Sequence, residues 1–325
     1  MSVTANQQIM SEEKTILATV IGANAVKHNS QPADVRAQVT GFSSVRGRAE
    51  IRHLVSLSAL ALGMAIPEVA LAGAWTAKQG KSYLKQAVNY FESDSRFGPE
   101  NGFENFRNVN YNLYWEYGVE DNLTFFTQGA LIKTRNTDGG VTTFGSGISD
   151  IDLGLRYRLI DGPLVVSVQG LIKAPYLYDK DAELPIGNGQ EDFEGRLLFG
   201  KSFDSLGYGG LEVGYRLRAE APADEFRYVI EYGIDLNERS YVRAKLDGVH
   251  SIGDFKATNN PNAPSVTGVD LNPQLPNRFS VGRLEYTLGY KISRSLSGEI
   301  AGTAAVYGNN TLKGRNIQIA LVASF

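Results

Sequence analysis

The chain has 325 residues, a formal charge of −3 from 32 basic and 35 acidic side chains, and no cysteine. That length admits two ordinary domains or one closed β architecture. The balanced charge gives no electrostatic case for nucleic acid, and the lack of cysteine excludes disulfides, thiolate metal sites and cysteine nucleophiles.

Residues 1–45 are mostly polar and unpatterned, an unstructured extension that reflects either a start codon set too early or a long n-region. Residues 46–72 read as a cleaved signal peptide. Arg46, Arg48 and Arg52 form its positive n-region, Leu54 to Met64 its apolar h-region, and Ala70-Leu71-Ala72 a small-x-small cleavage site before Gly73, with Ala72-Gly73-Ala74 as the alternative site. The apolar run is too short to cross a bilayer as a stable helix.

From residue 82 the dominant period is two. All 16 tyrosines follow residue 81, among much of the glycine, the composition of many short strands. In "NVNYNLYWEYGV", Val109, Tyr111, Leu113, Trp115 and Tyr117 oppose Asn108, Asn110, Asn112, Tyr114 and Glu116. In "DIDLGLRYRLI", Ile151, Leu153, Leu155, Tyr157 and Leu159 oppose Asp150, Asp152, Gly154, Arg156 and Arg158; "LEVGYRLR" sets Leu211, Val213, Tyr215 and Leu217 against Glu212, Gly214, Arg216 and Arg218. Twelve such runs are expected at about 82–94, 105–118, 123–134, 149–160, 164–176, 191–203, 208–219, 225–236, 239–251, 277–292, 295–307 and 314–325. Short connections at 120–122, 161–163, 204–207, 237–239 and 293–295 alternate with longer ones near 95–104, 134–148, 177–190, 220–224, 252–275 and 308–313. That rhythm predicts an all-β, transmembrane, antiparallel up-and-down barrel of twelve strands over 73–325, with tight turns on one side of the membrane and loops on the other.

Tyr111, Trp115, Tyr117, Phe125, Phe126, Tyr228, Tyr232, Tyr286 and Tyr290 fall near strand ends or on the apolar face, as interfacial girdles require. In "RNIQIALVASF" the chain stops on an aromatic that shares a face with Ile317, Ile319 and Leu321. Here it resembles bacterial outer-membrane barrels, in which a terminal Phe, here Phe325, is the recognition signal for the assembly machinery.

The polar faces carry Arg156, Arg158, Arg196, Arg216, Arg218, Arg227, Arg243 and Arg283 with Glu194, Glu212, Glu231 and Glu285. At midplane Arg or Lys costs about 2–4 kcal/mol against lipid, so these groups are expected to face inward. Both signs occur, leaving either a narrow hydrated pathway or an essentially closed ionic core. The loops at 178–192 and 254–277 are expected either to fold over the mouth as a plug or gate, or to lie exposed.

His250 and Ser251 invite comparison with twelve-stranded outer-membrane phospholipases, whose serine lies two residues beyond the histidine on one strand face. Adjacent residues point to opposite faces, so the chain is read as no enzyme and a surface lipid hydrolase is a distant alternative. His250 is the one histidine after residue 72, which excludes a histidine-rich metal site. Asp179, Asp181 and Glu183 are loop acids of a kind that either bind calcium or are simply solvated. No cofactor or metal is implied.

The stretches "GAWTAKQGKSYLKQAVNYFESDSRF", "NLYWEYGVEDNLTF", "DIDLGLRYRLIDGP" and "ELPIGNGQEDFEGRLLFGKSF" resemble a group of proteobacterial outer-membrane proteins sometimes grouped with channels linked to aromatic-compound degradation. Similar barrels occur beside genes for secreted polysaccharide adhesins. The resemblance implies architecture, a multi-pass place in the bacterial outer membrane, lipid and lipopolysaccharide as surroundings, and the barrel assembly machinery as partner. The expected function is a channel passing a small solute or an extended glycan through an arginine-lined lumen. A non-conducting accessory barrel of envelope or polysaccharide-secretion machinery is the alternative.

Overall fold

The computed structural model describes residues 73–98, 103–180, 182, 184–187, 189–220, 222–253 and 278–325. The expected extension at 1–45, the expected signal peptide at 46–72 and the loop at 254–277 lie outside the described residues.

Period-two patterning produces fifteen strands in chain order: β1 (Ser82–Ser93), β2 (Arg96–Phe97), β3 (Phe103–Glu120), β4 (Leu123–Asp138), β5 (Val141–Ile148), β6 (Ile151–Ile160), β7 (Val165–Ala174), β8 (Asp192–Ser202), β9 (Tyr208–Arg218), β10 (Asp224–Asp235), β11 (Ser240–Ile252), β12 (Ser280–Lys291), β13 (Leu296–Asn309), β14 (Thr311–Leu312) and β15 (Arg315–Ser324). Each barrel strand pairs antiparallel with its neighbours, and β1 pairs with both β3 and β15, which closes the ring. β5 and β6 together make one barrel strand, interrupted at Ser149 and Asp150 while both pair with β4. The barrel therefore has twelve strands, as the alternation predicts. At the seam Ser82 N–H donates to Phe325 O (2.7 Å) and Phe325 N–H to Ser82 O (3.0 Å).

The stretch 134–148, read above as a loop, is instead the top of a hairpin formed by β4 and β5. Gly139 and Gly140 supply it with a two-residue turn at φ of 53° and 77°, positive values that glycine adopts without the penalty a Cβ brings. The expected loops 95–104 and 308–313 contain β2 and β14, which pair with each other beyond the barrel rim.

Side chains alternate as the sequence implies. Leu153, Leu155, Tyr157, Leu211, Tyr215, Leu217, Ile317, Ile319 and Leu321 are exposed on the outer wall, while Asp152, Arg156, Glu194, Arg216 and Arg218 are buried inside. Phe126 corrects one expectation: it is inward and 4% exposed, with the Arg156 guanidinium 5.8 Å from its ring centroid. Phe125 and Phe126 are adjacent, so only one of them can face lipid. The outer band is apolar over the span a membrane requires, and the charges sit where hydrocarbon cannot reach them.

Candidate functional site: the lumen

The inward faces meet as an ionic lattice. Glu194 on β8, with a side chain 0% exposed, is bonded by Arg196 Nε, accepts from Arg216 Nε at 2.6 Å and lies 3.8 Å from Arg227 Nη1. Arg196 also donates to Glu212 (2.7 Å). Asp192, two residues along the same face, holds Lys173 (3.0 Å), Arg216 (3.4 Å) and Arg218 (3.8 Å), and Arg218 continues to Glu225. A second centre forms on Arg243, which lies 3.7 Å from Glu231, 3.7 Å from Glu285 and 3.6 Å from Glu299. Lys245 pairs with Glu285 (3.3 Å) and Lys85 with Glu299 (2.7 Å). Arg156 meets Glu116 at 3.1 Å.

Two of the twelve candidate residues sit apart from these centres. Arg158 is at the short-turn rim, donating to Asp121 O (3.1 Å) and pairing with Asp161 (3.2 Å). Arg283 lies near the loop end, 3.8 Å from Asp247 and half exposed. Of the other ten, nine belong to the two centres, and Arg156 pairs with Glu116 beside the strap.

Sequence reasoning missed the tyrosines that complete the lattice. Tyr208 donates to Glu231 (2.7 Å), Tyr241 to Glu299 (2.8 Å) and Tyr114 to Glu116. The rings of Tyr208 and Tyr241 lie over Gly233 and Gly289 on neighbouring strands, where an added Cβ would stand 2.4 Å and 2.0 Å from the ring. The signal was present as parity, since Tyr208 falls an even number of residues from Glu212, and Tyr241 from Arg243.

Also missed was a strap formed by residues 73–81, which enters the barrel at the short-turn end before β1 begins. Ala74 is 0% exposed against Val165 and Leu198, and Trp75 packs edge-on to Tyr208 with ring centroids 5.9 Å apart. The strap's polar backbone is met by the wall. Ser167 donates to Ala74 O, Arg156 Nη1 to Trp75 O (3.0 Å), and Ala77 N–H to Thr124 Oγ1 (2.8 Å). These bonds answer the cost of burying unpaired peptide groups.

At the other end the described residues between 175 and 190 fold inward against β4 and β5; of the expected loop acids, Asp181 and Glu183 lie outside the described residues. Leu184 and Pro185 are buried, and Leu184 O stands where a Cβ on the inward-facing Gly145 would need to be, 2.2 Å away. The Tyr178 hydroxyl donates to Asp150 (2.6 Å) and accepts from Gly189 N–H (2.8 Å). Burial and then the Asp150 carboxylate push that hydroxyl far above its ordinary range, so it stays a donor. Tyr178→Phe removes both bonds, costs about 1–2 kcal/mol, and is expected to make 175–190 the first site of proteolytic nicking, read as fragment appearance against time.

Beside the strap remains a cavity of about 1160 Å3. Eleven lysines and arginines line it, Lys85, Arg196, Arg216, Arg227, Arg243 and Lys245 among them, against seven aspartates and glutamates. Several partner carboxylates, Glu194, Glu225 and Glu299, stand behind that wall. The cavity reaches the short-turn mouth at Asp161, Arg294 and Phe325 and runs inward as far as Asp247. Among the described residues no group of three His, Cys, Asp or Glu is placed to hold a metal ion. The ring of His250 stacks with Tyr228 and Tyr307 (centroids 6.3 and 6.0 Å), whereas Ser251 Oγ accepts from Phe279 N–H at 3.0 Å. No hydrogen bond joins the two side chains, and they occupy opposite faces of β11.

Neither a protein-family model nor a curated protein matches the chain. Among solved structures, an outer membrane channel from Pseudomonas putida F1 superposes with a TM-score of 0.61 at 14% identity, covering 79% of this chain and 100% of that one. The translocator domain of the autotransporter NalP from Neisseria meningitidis gives a TM-score of 0.47 at 10% identity, over 85% and 95% of the two chains. The superposition on the Pseudomonas channel is a likeness of fold; together with the apolar outer wall and charged interior, it makes this chain a transmembrane β-barrel of the outer-membrane type.

Proposed function

We propose that the protein is an outer-membrane channel for a small polar or anionic solute, with residues 46–72 as its cleaved export signal. The observation that carries this reading is the lumen cavity, whose wall bears more cations than anions. A cation-rich wall in a low-dielectric enclosure raises the local concentration of anions. The passage runs beside the strap and is bordered by side chains of β1, β3, β4 and β6 to β11. Arg227, Arg243 and Lys245 are its selective groups. The space left beside the strap suits a small solute better than an extended glycan.

The test is single-channel recording of the refolded protein in planar bilayers under a salt gradient. Discrete steps with a reversal potential of the anion-selective sign are expected. Lys245→Glu, a two-unit charge change at a half-buried lumen position, should move that potential toward cations. One observation favours the accessory-barrel reading instead: the buried lumen arginines are already paired. A silent protein, native and variant alike, would establish that alternative.

A further inference from the structure

The strap bears on where the chain is cut. Of the two cleavage sites that the sequence offers, cutting after Ala72 makes Gly73 the first residue of the mature chain, and cutting after Ala74 makes it Trp75. The second cut discards Ala74, which is 0% exposed against Val165 and Leu198. It also discards the carbonyl to which the Ser167 hydroxyl donates, and Ser167 is itself 0% exposed. A buried hydroxyl stripped of its acceptor is unfavourable, so only the first cut leaves the fold intact.

That cut places a new charge in the lumen. Gly73 borders the cavity, so whatever its nitrogen carries lies inside the barrel. A Cβ on Gly73 would stand 3.7 Å from Glu212 Oε1. Its Cα is therefore within about 5 Å of that oxygen, and its nitrogen, one bond away, can turn to within ion-pair distance. Glu212 Oε2 is taken by Arg196 Nη1 at 2.7 Å, whereas Oε1 has no hydrogen bond or ion pair among the described residues.

We infer that the α-ammonium of Gly73, freed by processing after Ala72, is a lumen group that pairs with Glu212. It adds a twelfth cation to the eleven lysines and arginines of the cavity wall, and it ties the free end of the strap to β9. The one carboxylate then bridges Arg196 on β8 and the chain terminus, in an enclosure where an unpaired charge is costly. In the uncut chain the same nitrogen is an uncharged amide, so the pair forms only after cleavage. The inference rests on reading residues 46–72 as a cleaved export signal and is independent of whether the lumen conducts.

The experiment expresses the full-length chain with its own signal and purifies the protein from outer membranes. Intact mass and N-terminal sequencing are expected to give Gly73 as the first residue. Trp75 in that place would overturn the inference alone, whereas a chain that retains residues 46–72 would overturn the export-signal reading beneath it. The α-amine is then acylated with an N-hydroxysuccinimide ester near neutral pH, where α-amines react ahead of lysines because they lose their proton first, and the N-terminal peptide is quantified by mass. Pairing holds the amine as its unreactive ammonium and the wall restricts access, so labelling is expected to be on the order of tenfold slower in the folded barrel than in urea. Equal rates would overturn the inference, and that comparison needs no variant to fold. In Glu212→Gln that keeps its heat-modifiable mobility, labelling should speed up about fivefold, the scale of one partly exposed ion pair. An unchanged rate in that folded variant would overturn the inference as well.

Discussion

Replacing Gly118 by Val is expected to raise single-channel conductance by about two- to threefold, the scale on which removing a polypeptide from a narrow lumen enlarges its conducting section. Gly118 sits on β3 where the strap turns into β1. Gly80 N–H donates to its carbonyl (2.8 Å), and its own N–H donates to Lys81 O (2.9 Å). A Cβ there would stand 2.0 Å from Lys78 O and 2.7 Å from Ala77 O, closer than any backbone tolerates. Gly118 pairs with Thr124 in the long β3–β4 hairpin, whose nearest register shift lies beyond it, between Gly118 and Glu120, whereas the strap is held by a few bonds, so the strap is what moves. Recording native and variant protein in the same bilayers checks this. Conductance unchanged in a folded variant would mean that the strap does not border the passage.

The second large effect is one of stability. Glu194→Gln removes the buried carboxylate shared by Arg196, Arg216 and Arg227 and leaves three guanidinium groups facing a neutral amide. Breaking a buried pair by deleting one partner costs about 3–5 kcal/mol, because the remaining charge is desolvated and uncompensated. The expected result is a marked drop in the urea midpoint, followed by the mobility shift between folded and unfolded barrel on unheated gels. Glu194→Gln combined with Arg227→Gln should recover part of the loss, since Arg227 is the most weakly bound of the three at 3.8 Å. A single variant as stable as the native protein would show that water already solvates this centre.

The barrel was legible in the sequence because each strand has lipid on one face and charge on the other, so the period of two is written twice, once in Leu153, Leu155 and Tyr157 and again in Asp152 and Arg156. The top of the β4–β5 hairpin was not, because beyond the membrane neither face needs to be apolar and "TRNTDGGVTTFGSG" carries no alternation of hydrophobicity. Its Gly139-Gly140 pair was the available clue. The lumen charges were visible as polar-face residues, but their grouping into one centre on Glu194 and another on Arg243 depends on cross-strand register, which a single strand does not disclose. The strap was invisible for a different reason. A segment lying inside a barrel is held by backbone bonds to Ser167, Arg156 and Thr124, and such bonds place no periodic demand on its own side chains.

That strap separates two properties that barrels ordinarily bind together. Strand number and shear set the circumference, and altering either means rebuilding every ladder. Here the open section also depends on nine residues, 73–81, that lie ahead of the first barrel strand. Trp75 and Ala74 fill the space above Gly200, where an added Cβ would stand 2.6 Å from the indole ring and 3.1 Å from Ala74 Cβ. Substitution at Ala74, Trp75 or Gly200 is thus a way for evolution, or an engineer, to reset the bore one side chain at a time without touching the scaffold that inserts into the membrane.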